Sequence, residues 1–208
     1  MIFVNILIII LLYSSFAVVH SLLAAFEVKR KLLKKFPSFM PFYRISYNVF
    51  ALIHFYFVYE LSPRIDIKIF DLQFPYDFLI YFFSLQSLLA IGWTLFYFDG
   101  KEFLGISQLF RRHSGEYNLN NLDEDSELIV KGPYLWCRHP LYFFCIMFLT
   151  LRPYMNLDYL VSLICIITYF YIGSIYEEKR MLKKFGAHYE EYMKHVPRLV
   201  PVFWGRKK

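Results

Sequence analysis

Long apolar runs alternate with short charged stretches along this chain, and most of the runs are of bilayer length. Residues 2–26, 42–61, 76–98 and 157–176 are each dominated by apolar and aromatic side chains. A helix rises about 1.5 Å per residue, so some 20 residues cross a hydrocarbon core of about 30 Å. A further run, spanning 134–151, is shorter in its apolar part. From Pro140 to Leu151 it would rise only about 18 Å before Arg152-Pro153 stops it. Asn156 and Asp158 then open the next run, so the two read as a hairpin with a tight outer turn. The pattern predicts an all-α, polytopic membrane bundle of about five transmembrane helices, built as one domain over residues 1–208.

The polar stretches orient the bundle. Lys29, Arg30, Lys31, Lys34 and Lys35 follow the first run, Arg111 and Arg112 lie in the polar segment 99–131, and more cations close the tail 177–208. Cationic flanks stay in the cytoplasm. Five crossings that keep all three segments inside put the N-terminus outside and the C-terminus in the cytoplasm. The loop 62–75, where Arg64 and Lys68 are balanced by Asp66 and Asp71, then falls outside. Past the last run, Leu182, Phe185, Tyr189, Tyr192 and Val196 recur at steps of three and four, predicting a cytoplasmic amphipathic helix. The first run has no basic start and no small-residue cleavage site, so it is expected to be a retained anchor.

Composition changes the picture little. The chain is 58% hydrophobic and 22% aromatic, with a mean hydropathy of +0.39, as befits a protein in contact with the lipid bilayer. Its net charge of +6 is accounted for by cytoplasmic loops, and no signature of nucleic-acid binding stands apart from the membrane runs. Cys137, Cys145 and Cys165 lack a paired metal spacing, as do the six histidines, so no metal is expected. A haem held between His20 and His54 is disfavoured against interhelical hydrogen bonding. The eight glycines form no phosphate loop.

Candidate chemistry gathers on the cytoplasmic side. Pro140 suits the first turn of a helix, which places Arg138 and His139 at its positive end. Such an end attracts anions, although Trp136 and Arg138 could equally serve as a headgroup anchor. Glu177 and Glu178 sit at the base of the fifth run and, being consecutive, point about 100° apart on a helix. With Arg198 they could form a structural ion-pair latch or a ligand site, and the residues alone leave both open.

The two C-terminal blocks carry a resemblance. Gly132-Pro133-Tyr134 with Arg138-His139-Pro140-Leu141-Tyr142, followed by Glu177-Glu178, Leu182, Phe185-Gly186, Tyr189, Tyr192 and Val196-Pro197-Arg198-Leu199-Val200-Pro201, resembles the isoprenylcysteine carboxyl methyltransferase superfamily of integral membrane methyltransferases. His20-Ser21-Leu22-Leu23-Ala24, Tyr43-Arg44 with Tyr47-Asn48, and Gly105-Ile106-Ser107-Gln108 look like its methanethiol S-methyltransferase and NnrU-like branch. Ser107 stands where that branch usually has arginine, and Arg198 where the thiol enzymes often have methionine. The resemblance implies S-adenosyl-L-methionine as methyl donor, bound by Arg138, His139, Pro140, Tyr142, Glu177, Glu178, Tyr189 and Arg198. It implies a small thiol such as methanethiol as acceptor, with an isoprenylcysteine or other lipidic substrate as the alternative. A non-enzymatic NnrU-like role is the third reading. His20 is the candidate base for forming a thiolate.

Overall fold

A computed structural model describes residues 1–97, 99–119 and 127–201. The acidic residues Asp123, Glu124 and Asp125 and the terminal cations Arg206, Lys207 and Lys208 lie outside the described residues. In chain order the helices are α1 (Ile2–Ala24), α2 (Phe26–Lys35), α3 (Met40–Leu61), α4 (Tyr76–Leu95), α5 (Gly100–Leu104), α6 (Ile106–His113), α7 (Pro140–Thr150), α8 (Leu157–Phe185) and α9 (Ala187–His195). Two short strands, β1 (Lys68–Asp71) and β2 (Tyr154–Asn156), pair antiparallel. The described residues fall into two compact units: residues 1–63 with 99–127, and residues 64–98 with 128–208.

Among the described residues, α1, α4 and α8 are long and apolar enough to cross a membrane, and α7 is a shorter apolar helix. Their outward faces carry large apolar side chains that water would not tolerate in such density: Phe3 is 87% exposed and Phe78 64%. Backbone groups inside these helices are bonded within the helix, as a hydrocarbon environment demands. This is an all-α membrane protein.

In the first unit, α1 packs on α3. Ile9, Tyr13 and Val58 are buried, and Phe16 meets Phe55 edge-on at 5.3 Å. Ala25 takes an extended conformation that ends α1 and starts α2 in a new direction. The cationic cluster expected as a loop is therefore a helix of its own. Two more helices occupy the polar segment after Asp99. Asp99 caps α5 by accepting from the Glu102 N–H at 3.0 Å, and Gly105, at φ +90°, turns the chain into α6. Arg111 grips Glu102 through both guanidinium nitrogens, at 2.9 and 2.7 Å.

In the second unit, α4 packs along α7, with Trp93 and Trp136 in contact at 5.1 Å between ring centroids. The approach to α7 is a short 3-10 turn at Gly132–Leu135, and the helix proper starts at Pro140. Gly132, at φ +54°, lies so close to the Tyr97 ring that no β-carbon would fit without moving it. The outer connection is not a bare turn: β2 pairs with β1, and Leu157 donates to the Ile67 carbonyl at 2.9 Å. After its apolar run ends at Tyr176, α8 continues as a polar extension to Phe185. Gly186 then breaks the amphipathic segment and α9 begins. Tyr189, Tyr192 and Val196 form a buried cluster with Leu182, Phe185 and Met193.

Candidate functional site

The second unit brings Arg138, His139, Tyr142, Glu177, Glu178 and Arg198 together. Pro140 is fully buried at the first turn of α7, where its fixed φ suits the helix and its missing N–H costs nothing. The preceding N–H groups are taken up by the tail: Arg138 donates to the Pro197 carbonyl at 2.9 Å and His139 to the Arg198 carbonyl at 3.0 Å. Those two donors, expected to be open to an anion, instead fasten the segment after α9 to the start of α7.

Glu178 is the centre of that fastening. One carboxylate oxygen accepts from Arg138 Nε at 2.8 Å and lies 3.3 Å from His139 Nε2. The other accepts from Arg198 Nε at 3.0 Å and Nη2 at 2.9 Å. Arg138 also donates to the carbonyls of Met193 and Val196. The side chains of Glu178 and Arg138 are 3% and 7% exposed, so their charges are compensated locally rather than by water. Glu178 belongs to the polar end of α8, beyond the apolar run. Burial pushes its carboxyl up, but hydrogen bonds from His139, Arg138 and Arg198 outweigh this and hold it at about 2. Arg198 is shifted further up by the same carboxylate.

Glu177 has other circumstances. Its side chain is 30% exposed, 3.5 Å from His139 Nδ1, and it accepts from the Tyr142 hydroxyl at 2.9 Å. His139 thus has a carboxylate at each ring nitrogen. Its ring stacks on Tyr142 at 5.3 Å, and Tyr142 stacks on Phe170 at 4.9 Å. The arrangement presents an accessible carboxylate and a partly exposed guanidinium beside a stack of rings. Such a surface suits a ligand carrying both an amino and a carboxyl group.

Of the other sequence candidates, Tyr189 is buried in the apolar cluster and T-stacked on Tyr192 at 5.8 Å, with no open ring face for a ligand. Burial raises the phenols of both. Tyr192 donates to the Tyr134 carbonyl. His20 belongs to the first unit, where its Nε2 is 2.6 Å from the Tyr47 hydroxyl and its ring stacks on Phe16. His54 meets the same Phe16 ring at 5.6 Å. Among the described residues no group of three or more His, Cys, Asp or Glu is placed to hold a metal ion. Phe170 and Tyr171, whose ring lies 5.9 Å from the Arg198 guanidinium, are contributors that the motifs do not include. Each precedes a glutamate by seven residues, two helical turns, and that spacing is the signal that could have found them.

No protein-family model matches the chain, and no solved structure matches it. Curated proteins do. The chain is 27% identical over 199 residues to the methanethiol S-methyltransferase of Crocosphaera subtropica, an alignment covering 92% of this chain and 72% of that protein. It is 25% identical over 197 residues to the methanethiol S-methyltransferase of Pseudomonas deceptionensis, covering 92% and 71%. It is also similar to methanethiol S-methyltransferase 1 of Bradyrhizobium diazoefficiens, at 26% over 204 residues, covering 95% and 66%.

Proposed function

We propose that this chain is a membrane methyltransferase that moves the methyl group of S-adenosylmethionine to a small thiol such as methanethiol, releasing dimethyl sulfide. The observation that carries the reading is similarity, over 92–95% of the chain, to proteins named methanethiol S-methyltransferase. In this reading residues 1–208 act as one domain. The chain crosses the membrane five times, α3 and α7 joining α1, α4 and α8, with its N-terminus outside and its C-terminus in the cytoplasm.

The residues present suit the donor, with a division of labour. Glu177, accessible and oriented by Tyr142 and His139, takes the ammonium or ribose hydroxyls. Arg198, a partly exposed guanidinium, takes the carboxylate. Glu178, Arg138 and Pro140 hold the helix start and the tail in register, and Tyr189 packs beneath them. When bound, the donor supplies a methyl group on a sulfonium, an electrophile that is already charged. To that methyl carbon the thiol sulfur would bond as the donor's sulfur–carbon bond broke, with the thiol proton passing to a base. The sequence's candidate for that base, His20, belongs to the first unit, where it bonds Tyr47. No oxyanion develops, so alignment in a dry site is the main contribution asked of the protein.

Isothermal titration of the purified protein with S-adenosylmethionine tests the donor assignment. Saturable one-to-one binding is the expected result. Absence of heat at millimolar donor, in protein that is folded by circular dichroism, would overturn it.

A further inference from the structure

At Ala24 the apolar helix α1 stops, and α2 departs from the extended Ala25 with a two-sided surface. Val28, Leu32 and Leu33 are half-buried, while Arg30, Lys31, Lys34 and Lys35 are exposed. Positions 31, 34 and 35 are three and four apart and therefore share one helix face. Glu27 neutralises Arg30 at 2.9 Å and Lys29 is buried, which leaves Lys31, Lys34 and Lys35 as the exposed excess charge. No aspartate or glutamate occurs from Val28 to Tyr59. Lys34 and Lys35 fall in the last turn of α2, where the helix dipole favours cations.

A fourth cation joins them from another element. Arg112 of α6 donates to the Ser38 carbonyl at 2.8 Å and stacks 4.9 Å over the Phe42 ring, so it is held against the turn that follows α2. The aromatic side chains of that turn, Phe36 and Phe39, are exposed, and the Lys35 ammonium lies 5.6 Å from the Phe36 ring. Exposed rings and amphipathic cations beside the end of a spanning helix are the chemistry of a membrane–water interface.

We propose that Lys31, Lys34, Lys35 and Arg112 form a binding surface for anionic phospholipid headgroups of the leaflet beside α2. Charge complementarity selects this occupant: four cations, three of them on a helix whose one acid, Glu27, is already paired with Arg30, meet phosphodiesters at headgroup level. The proposal rests on the membrane character of the chain and is independent of methyl transfer.

The test uses the full-length protein in phosphatidylcholine vesicles doped with spin-labelled lipid. The motionally restricted spectrum should show spin-labelled phosphatidylglycerol enriched over spin-labelled phosphatidylcholine by about threefold or more, the order of the roughly fivefold that one cation contributes beside an anionic surface. Raising salt to 0.5 M should erode the preference, an arm that needs no variant. The triple variant Lys31→Gln, Lys34→Gln, Lys35→Gln should lose most of it, and the matching triple arginine variant should keep it. Millimolar glycerol phosphate should leave it unchanged. Equal restriction of the two lipids in the wild type at low salt would overturn the proposal. So would a preference indifferent to salt, or one displaced by soluble phosphate.

Discussion

Glu178 accepts from two guanidinium groups and faces an imidazole while its side chain is 3% exposed. Glu178→Gln would leave the buried Arg138 without its counter-charge, and breaking a buried pair from one side costs about 3–5 kcal/mol. Thermal unfolding in detergent should register that loss. Glu177→Gln removes a carboxylate that is 30% exposed and contacted by Tyr142 and His139, so the unfolding temperature should move little. Donor affinity should instead fall about ten- to a hundredfold, the weight of one charge-assisted hydrogen bond of roughly 1.5–3 kcal/mol. The reverse pattern, with Glu177 governing stability and Glu178 governing affinity, would refute the division of labour. The depressed carboxyl of Glu178 adds a pH signature. Because its folded value of about 2 lies below the ordinary 4.5, its contribution is complete above about pH 4.5 and is lost as pH falls toward 2. The wild type should therefore lose stability more steeply than Glu178→Gln across that window.

At the scale of elements, Gly105 is a position with no room for a side chain. Its φ is +90°, and a β-carbon there would lie 2.6 Å from the backbone nitrogen of Ile45. Gly105→Ala should destabilise by about 1–3 kcal/mol, seen as faster proteolysis of the α5–α6 segment; an unchanged digestion pattern would contradict this. Apolar run length made α1, α4 and α8 legible in the sequence, and Arg152-Pro153 correctly marked the short α7. Other elements were not legible, for physical reasons. The pairing of β1 with β2 joins segments far apart in sequence and leaves no alternating pattern in so few residues. The break at Ala25 follows from one extended residue between two helix-forming stretches. The amphipathic pattern after Tyr176 gave no sign of Gly186, which divides that stretch between α8 and α9. In the site, the convergence of Arg138 and His139 with the glutamates followed from the short connection between α7 and α8. Which of two consecutive carboxylates meets the interior depends on packing that no local spacing encodes.

For the whole molecule, we propose from the charge bias of the polar segments that the C-terminus is cytoplasmic. A reporter fused after Lys208 should be active only there, and activity on the outer face would break the five-span topology. The central claim is methyl transfer to a small thiol. Its most direct measurement supplies the purified, reconstituted protein with methyl-labelled S-adenosylmethionine and methanethiol and samples the headspace gas. The account predicts labelled dimethyl sulfide, formed in proportion to protein and sharply reduced by Glu177→Gln at low donor concentration. Donor binding without labelled dimethyl sulfide, with the label recovered instead on an isoprenylcysteine or lipid acceptor, would contradict it.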